Sequence, residues 1–507
     1  MLMKINKYYL YVIIYVLICF TCALVFEGCA KSEEPEIAPG SEVKEPINNE
    51  NEENESGNTF DPSLIDTTKI YIPQEFRNMD LFDSKSKWYY GRSRQSEHFI
   101  VFWDIGYGEK DPSSKFDVPD VYRVDIDDLL ENAEKFYDVN INKLKFAEVG
   151  VGRSNLDKFK MLIFLFYQQE WLATGAGYDD VIGALWISPA TCKPVGSTIA
   201  HEIGHSFQYQ VYCDLLASGL CRHDYSRGFR YGFGPGGEGG NTFWEQTAQW
   251  QAYQSFPKEI FGSSNFTVYT ENCYRHVCHE WQRYASYFIH YYWADKYGID
   301  YISKLWHEAV KPEDPIQAHM RINNLTVDQF NAEMYDAASR FVTWDIDNIR
   351  SYGKNYIGKQ TYKAYPLSDS TYQVAYNCCP SSTGYNVIPL YVPASGTVVS
   401  TLFTGLQTGS ALALNDPGKC QNGDQTITVT KYNDSDPDRA GWRYGYVALL
   451  GDGRRIYGDM NSKANAKVDF TIPENCDKLW FVVLGAPATY KAHPWDELEI
   501  NDDQWPY

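Results

Sequence analysis

The chain has 507 residues, 44% of them apolar and 16% aromatic, enough for at least two sizeable cores, since single domains usually stay under about 250 residues. Its formal charge of -21 excludes nucleic acid from the expected ligands, because a phosphate backbone is normally met by clustered Lys and Arg. The 40 Tyr and 14 Trp suit either a rigid surface presented to a polymeric ligand or an aromatic core.

Lys4 and Lys7 precede a nearly continuous apolar run from Tyr8 to Phe26, which reads as an export signal, although a run of that length also suffices to span a bilayer. Gly28-Cys29 followed by Ala30, Lys31, Ser32, Glu33 and Glu34 resembles a bacterial lipoprotein processing site. That resemblance implies a signal peptide over 1–28, a lipid on Cys29 and attachment to the outer membrane or surface of a Gram-negative cell. The acidic stretch after Cys29 resembles the surface-export signal of Bacteroidetes lipoproteins, whereas Phe26 and Glu27 depart from the usual processing pattern. From Ala30 to Asp61 ten Asp or Glu stand against two Lys, with Pro35, Pro39 and Pro46. Such a segment buries too little apolar surface to offset its ordering entropy, so 29–69 is predicted to be a flexible stalk.

Folded sequence is predicted from about residue 70. Strands are expected over Glu97–Trp103, Lys160–Tyr167 and Val181–Ser188, and a helix over Val124–Tyr137, from alternation and 3.6-residue periodicity respectively. A helix from Ser197 to Leu216 follows, with Ser197 as its N-cap. Seven glycines between Gly228 and Gly240 mark a loop. Helices are then predicted over Thr242–Gln254, Glu280–Tyr297, Ile302–Val310 and Val327–Asp347. Beyond Tyr362 the composition turns to Val, Thr and Gly, with short strand-like runs at Val387–Val392, Thr397–Phe403, Thr426–Thr430, Gly445–Leu450, Ala466–Ile472 and Leu479–Leu484. Their spacing predicts an all-β sandwich or jelly-roll domain over 356–507, after a mixed domain over 70–355. Nine cysteines follow Cys29; export permits disulfides, their pairing is not legible, and the lack of any CxxC argues against a thiolate metal site.

His201-Glu202-Ile203-Gly204-His205 is an HExxH motif. Residues four apart share a helix face, so both imidazoles can address one ion while Glu202 stands beside its open position as a general base. The bland alternative is a pair of satisfied histidines on a buried helix face. A third His ten residues after His201 is excluded, since Val211 stands there, with Gln208 where the accompanying Gly would be. Glu245, forty residues after His205 on the next predicted helix, is the favoured third ligand because the Gly-rich loop can return the chain between the two helices. Asp214, His223, Asp224 and Glu238 are the alternatives. Gln249 or Asn241 is expected to receive the N–H of a bound imidazole. Tyr284 leads Tyr287, Tyr291 and His290 as donor to a developing oxyanion, with core packing the competing role for each. His276 and His279 are either cleft-lining or structural.

The HExxH helix, Phe243-Trp244-Glu245-Gln246-Thr247-Ala248 and the Tyr-rich segment resemble the gluzincin branch of the zinc metallopeptidases. Together with Arg283 to Phe288, Phe330 to Asp336 and the final Asn501 to Tyr507, they are similar to a family of secreted Bacteroidetes lipoproteins for which no substrate is established. The resemblance implies zinc held by His201, His205 and Glu245, a zincin-like α+β domain with a twisted sheet whose edge strand lines the cleft, and Val181–Ser188 as that edge. Leu479 to Pro487 looks like strands in accessory sandwiches of glycoprotein-directed metallopeptidases, so the expected partner is an extracellular protein or glycoprotein substrate. Two competing readings are a catalytically silent glycan- or protein-binding module, which could lose Glu202 without effect, and a hydrolase of non-peptide amides or esters.

Overall fold

A computed structural model of the chain describes residues 65–223, 227–228, 242–412, 419–422, 425–428, 431–492 and 503–507. The apolar run Tyr8–Phe26, Cys29 and most of the acidic segment lie outside the described residues. The fold is α+β. Its first half is built on a five-stranded sheet of β1 (Ser93–Gln95), β2 (Phe99–Trp103), β3 (Met161–Leu165), β4 (Ala173–Tyr178) and β5 (Ile182–Ile187), in the order β1-β2-β3-β5-β4. Strands β2, β3 and β5 run parallel, and the outer strands β1 and β4 run antiparallel to their neighbours. Every residue of β2 and β3 is buried. This is why both read as unbroken apolar runs, with structure covering both faces. Helix α1 (Ile126–Asp138) lies on the crossover from β2 to β3; Asp125 accepts a hydrogen bond from the Asp128 N–H at its start, as the N-cap rule requires.

Val181–Ser188 was expected at the edge of the sheet, but β5 is interior and β4 is the edge strand. Neither β1 nor β4 was predicted. The Ala-Thr-Gly-Ala-Gly-Tyr sequence of β4 lacks apolar alternation because its small residues serve close packing against a helix rather than burial of side chains. The hairpin from β4 to β5 reverses at Asp179 and Asp180, with φ of 53° and 60°, a left-handed conformation that Asp tolerates better than most residues.

The helical part contains α2 (Ser197–Ala217), α3 (Thr242–Tyr253), α4 (Phe288–Tyr297), α5 (Tyr301–Glu308), α6 (Pro315–Ile322) and α7 (Val327–Thr343), with further helices at Glu259–Gly262, Ser264–Asn272 and Asp347–Gly353. Helix α6 and these further helices were not predicted, although Asp314 and Gln317 form a capping box at the start of α6. The predicted helix over Glu280–Tyr297 breaks into a 3₁₀ turn at Glu280–Gln282 and then α4. Helix α7 stops four residues earlier than predicted because Trp344 takes the left-handed position (φ 54°) at its end. Ser197 does not cap α2: Gly196 is the N-cap residue, and the Ser197 hydroxyl donates to Glu259 Oε2 at 2.6 Å.

The carboxy-terminal region is rich in β-structure. Strands β6 (Tyr385–Leu390), β8 (Trp442–Leu450), β9 (Arg455–Tyr457) and β11 (Cys476–Gly485) form an antiparallel sheet in the order β9-β8-β11-β6, while β7 (Val398–Thr404) pairs with β10 (Asn465–Thr471). The alternation along β8 and β11 divides their side chains between two cores. Tyr444, Tyr446, Phe481 and Val483 meet Phe403 and Val468 from the β7–β10 pair. Val447, Leu449, Trp480 and Val482 join the main core that contains Phe330 and Met334 of α7. The predicted sandwich is thus a sheet with a strand pair on one face and a helix on the other, and Trp505 near the chain end is fully buried between the strands. No disulfide forms among the described cysteines.

A buried polar hub joins α4, α6 and α7. The Glu333 carboxylate accepts from Trp293 Nε1 (3.0 Å), Lys296 Nζ (2.8 Å), the Tyr297 hydroxyl and His319 Nε2 (2.9 Å). Burial by itself raises this carboxyl, but the bonds from His319, Lys296 and Tyr297 outweigh it and bring it down from 4.5 to about 2. A depressed folded-state pKa stabilises at pH values above the unfolded one and loses that contribution as pH falls from 4.5 towards 2; the shift corresponds to about 3 kcal/mol. In urea titrations, Glu333→Gln should therefore be destabilised by about 2–4 kcal/mol at pH 7, with the gap to wild type narrowing below pH 4.5. A gap that does not change with pH would contradict this account.

Candidate metal centre

Helix α2 leaves the end of β5 and runs through the core, with every residue from Ile199 to Leu215 buried. Its burial on all sides follows from a sequence with little amphipathic contrast, as expected for a helix between a sheet and a second helix. Edge strand β4 passes so close that a Cβ on Gly175 would stand 2.0 Å from the Glu202 carbonyl oxygen and 2.8 Å from His205 Cβ. Only glycine permits that approach. Ser206, one residue beyond the motif, donates to the Ala184 carbonyl of β5 at 2.9 Å and sets the rotation of the helix on the sheet.

Helix α3 supplies the third group. The carboxylate of Glu280 accepts from the Thr242 N–H (3.2 Å) and hydroxyl (2.7 Å), placing a negative charge at the start of α3 where the helix dipole favours it. Gln246 donates to the Val277 carbonyl at 2.6 Å. One turn inside this anchored end, Glu245 Oε2 lies 3.0 Å from His201 Nε2 and 3.1 Å from His205 Nε2. The two imidazole rings stand edge to face, centroids 4.5 Å apart. One ligand atom from each of the three residues falls within 4.8 Å of the others; both histidines are buried and the Glu245 side chain is 13% exposed. Two imidazole nitrogens and a carboxylate oxygen converging in a shielded position fit a divalent cation, the charge that such a donor set otherwise lacks.

Burial pushes the Glu202 carboxyl up to about 7; His201 opposes the rise, the Glu245 charge adds to it, and a hydrogen bond from the Gly175 backbone lowers it. Glu202 is therefore held beside the three ligands and poised to gain or lose a proton near neutrality. Glu245 is raised by burial, but the two imidazoles outweigh this and hold it far below the usual carboxylate range. Tyr284 lies on the turn after the 3₁₀ segment rather than on a helix. The residue is 40% exposed, its ring centroid is 5.9 Å from that of His201, and its hydroxyl is raised by burial, by the Glu245 charge and by a hydrogen bond to Glu245.

The other oxyanion candidates lie elsewhere. Tyr287 donates to the Ile260 carbonyl at 2.6 Å, Tyr291 is packed in the core, and His290, kept neutral by burial that lowers it to about 3, meets the Thr247 hydroxyl at 3.0 Å. Among the alternative ligands, Asp214 accepts from Gln210 Nε2 (2.7 Å) and the Asn155 N–H (3.1 Å), away from the centre. His223 is largely exposed beside Asp180. Asp224, Glu238 and Asn241 lie outside the described residues. His276 and His279 are structural: their Nδ1 atoms accept from the N–H groups of Cys278 and Trp281, each at 3.1 Å.

Among the described residues Gln249 bonds neither imidazole of the centre: His205 Nδ1 faces another residue and His201 Nδ1 has no partner. Gln208 takes that place, its Oε1 lying 3.1 Å from His205 Nδ1. It stands three residues after His205, on the same helix face, so its spacing was legible although its role was not foreseen. Trp244 also escaped sequence reasoning. Its ring stacks on His205, centroids 4.7 Å apart and planes at 11°, excluding water from one side of the imidazole. His201 Nδ1 is buried without a partner among the described residues.

The molecule is thus an α+β protein with a buried centre of two histidines and one glutamate. Residues 62–507 match the DUF6055 family, a family of unknown function, and the chain belongs to it. No curated protein matches the chain.

The geometry predicts one equivalent of a divalent transition-metal ion per chain, read by elemental analysis of the purified protein after dialysis. Glu245→Ala and His205→Ala should each reduce this below 0.1 equivalent, on the order of a tenfold or greater loss, while Tyr284→Phe leaves it unchanged.

Proposed function

We propose that the protein is a zinc-dependent peptidase, and the observation that carries this reading is the convergence of His201, His205 and Glu245 with Glu202 and the Tyr284 hydroxyl beside them. Zinc suits two imidazoles and one carboxylate, a set that leaves a position open for substrate. When bound there it supplies Lewis acidity, polarising a peptide carbonyl and acidifying water. Glu202 takes a proton on its carboxylate from the attacking water and delivers it to the leaving amine, so that the amine departs neutral. Tyr284 donates its hydroxyl proton in a hydrogen bond to the oxygen that becomes negative as the carbonyl turns tetrahedral. His205, stacked under Trp244 and bonded to Gln208, is held in orientation throughout.

The zincin-like reading of the first half draws support from the arrangement around β4. An antiparallel edge strand lies directly against the HExxH helix at Gly175, and its unpaired side can accept an extended peptide as an additional strand. Export as a lipoprotein carried on Cys29, with an extracellular protein or glycoprotein as substrate, completes the proposal.

The test uses the full chain loaded with zinc, with casein and mucin-type glycoproteins as substrates. Glu202→Gln should retain stoichiometric zinc and lose about 10²- to 10⁴-fold in kcat, and Tyr284→Phe should lose about 10²-fold in kcat with little change in KM. Undiminished cleavage by Glu202→Gln would overturn the mechanism. Absence of cleavage by wild type, with zinc bound, would favour the silent binding module.

A further inference from the structure

Four buried groups lead away from the centre in a single line. His205 Nδ1 lies 3.1 Å from Gln208 Oε1, Gln208 Nε2 donates to Gln251 Oε1 at 2.8 Å, Gln251 Nε2 donates to Asn140 Oδ1 at 2.6 Å, and Asn140 Nδ2 donates to the Phe136 carbonyl at 2.9 Å. Gln208, Gln251 and Asn140 are each no more than 2% exposed. We infer that these three amides are positioning residues that carry the polarity of the Phe136 carbonyl to His205, holding the imidazole proton on Nδ1 and leaving Nε2 directed at the metal.

The Phe136 carbonyl at the far end fixes the orientation of every amide along the line. A backbone carbonyl only accepts. Its neighbour must therefore present Nδ2 of Asn140, which turns Oδ1 towards Gln251. That in turn requires Nε2 of Gln251 on this side and Oε1 on the other, and the same logic sets Gln208. An amide oxygen also only accepts, so the imidazole nitrogen facing Gln208 must carry a proton. Reversing one amide would set oxygen against oxygen and N–H against N–H in a buried place, costing more than the loss of one hydrogen bond.

Two local features serve this line. Asn140 sits in a π-helical turn, Val139–Lys143, closed by a bond from the Leu144 N–H to the Val139 carbonyl at 2.9 Å. Such turns insert a residue into a helix and re-aim its side chains. Gly204, between the two histidines, is where a Cβ would come within 3.0 Å of Gln251 Oε1, so a side chain there would crowd the middle of the line. The oxygen that receives the imidazole proton is uncharged, so the line orients His205 while raising its basicity less than a carboxylate would.

The consequence for metal binding rests on the proposed zinc centre, but the proton position does not, and the two are tested separately. In the full chain labelled with ¹⁵N-histidine, the Nδ1 resonance of His205, assigned by its loss in His205→Gln, should be that of a protonated nitrogen both with and without zinc. An unprotonated Nδ1 in either state would overturn the inference. Cobalt(II) titration read by its visible absorption should show Gln208→Ala weakened about 10- to 100-fold with shifted bands. Wild-type affinity and unshifted bands in Gln208→Ala would overturn it. If wild type binds no cobalt, the zinc reading falls, and the labelled spectrum alone decides the proton position.

Discussion

A carboxylate buried between two imidazoles is the constraint on which the rest of the site depends. Glu245 Oε2 lies within 3.1 Å of both Nε2 atoms, in a place where water is excluded and an uncompensated charge is costly. Helices α2 and α3 can close on one another only if that charge is matched by protonated imidazole or by a cation. The same convergence that would be a liability in an ordinary core is what fits the centre to hold a metal ion.

The surrounding structure is arranged to let the two helices approach. Glycine at 175 and 204 removes side chains where β4 presses on α2 and where Gln251 presses between the histidines. Glu280 secures the start of α3, and Thr247, shared by Phe243, His290 and Trp306, secures its middle. These contacts hold Glu245 on one helix at a defined distance from two groups on another. Such precision matters because a misplacement of about 1 Å in a metal or catalytic constellation is enough to cost activity.

Polar groups in this molecule fall into two kinds. Those of the Glu333 hub are mutually satisfied, with the Lys296 charge opposing the carboxylate and with Trp293 and a His319 imidazole that burial pushes towards its neutral form bonding it, and they bind three helices together. Those at the centre are arranged differently. Glu202 is pushed towards neutrality by its surroundings and Glu245 is held ionised, so two carboxylates on neighbouring helices occupy opposite protonation regimes. That division suits one to ligation and the other to proton transfer.

Much was legible in the residues alone. HExxH spacing put His201 and His205 on one face of one helix, a consequence of the 3.6-residue repeat that no tertiary contact alters. The glycine-rich stretch before the next apolar periodic segment made Glu245 reachable, and the runs Glu97–Trp103, Lys160–Tyr167 and Val181–Ser188 announced β2, β3 and β5, though not their order in the sheet. Tertiary structure decided the rest, because each remaining feature depends on what a side chain meets across an interface. Strand β4 carries no alternation of its own and exists as the partner of β5 and the neighbour of α2. Tyr284 and Tyr287 differ by three residues and look alike in sequence, yet one faces Glu245 and the other bonds the Ile260 carbonyl. Gln208 rather than Gln249 accepts from His205 Nδ1 because the π-helical turn after α1 meets α2 and α3 and brings Asn140, Gln208 and Gln251 into line, a register of three elements that no local periodicity encodes.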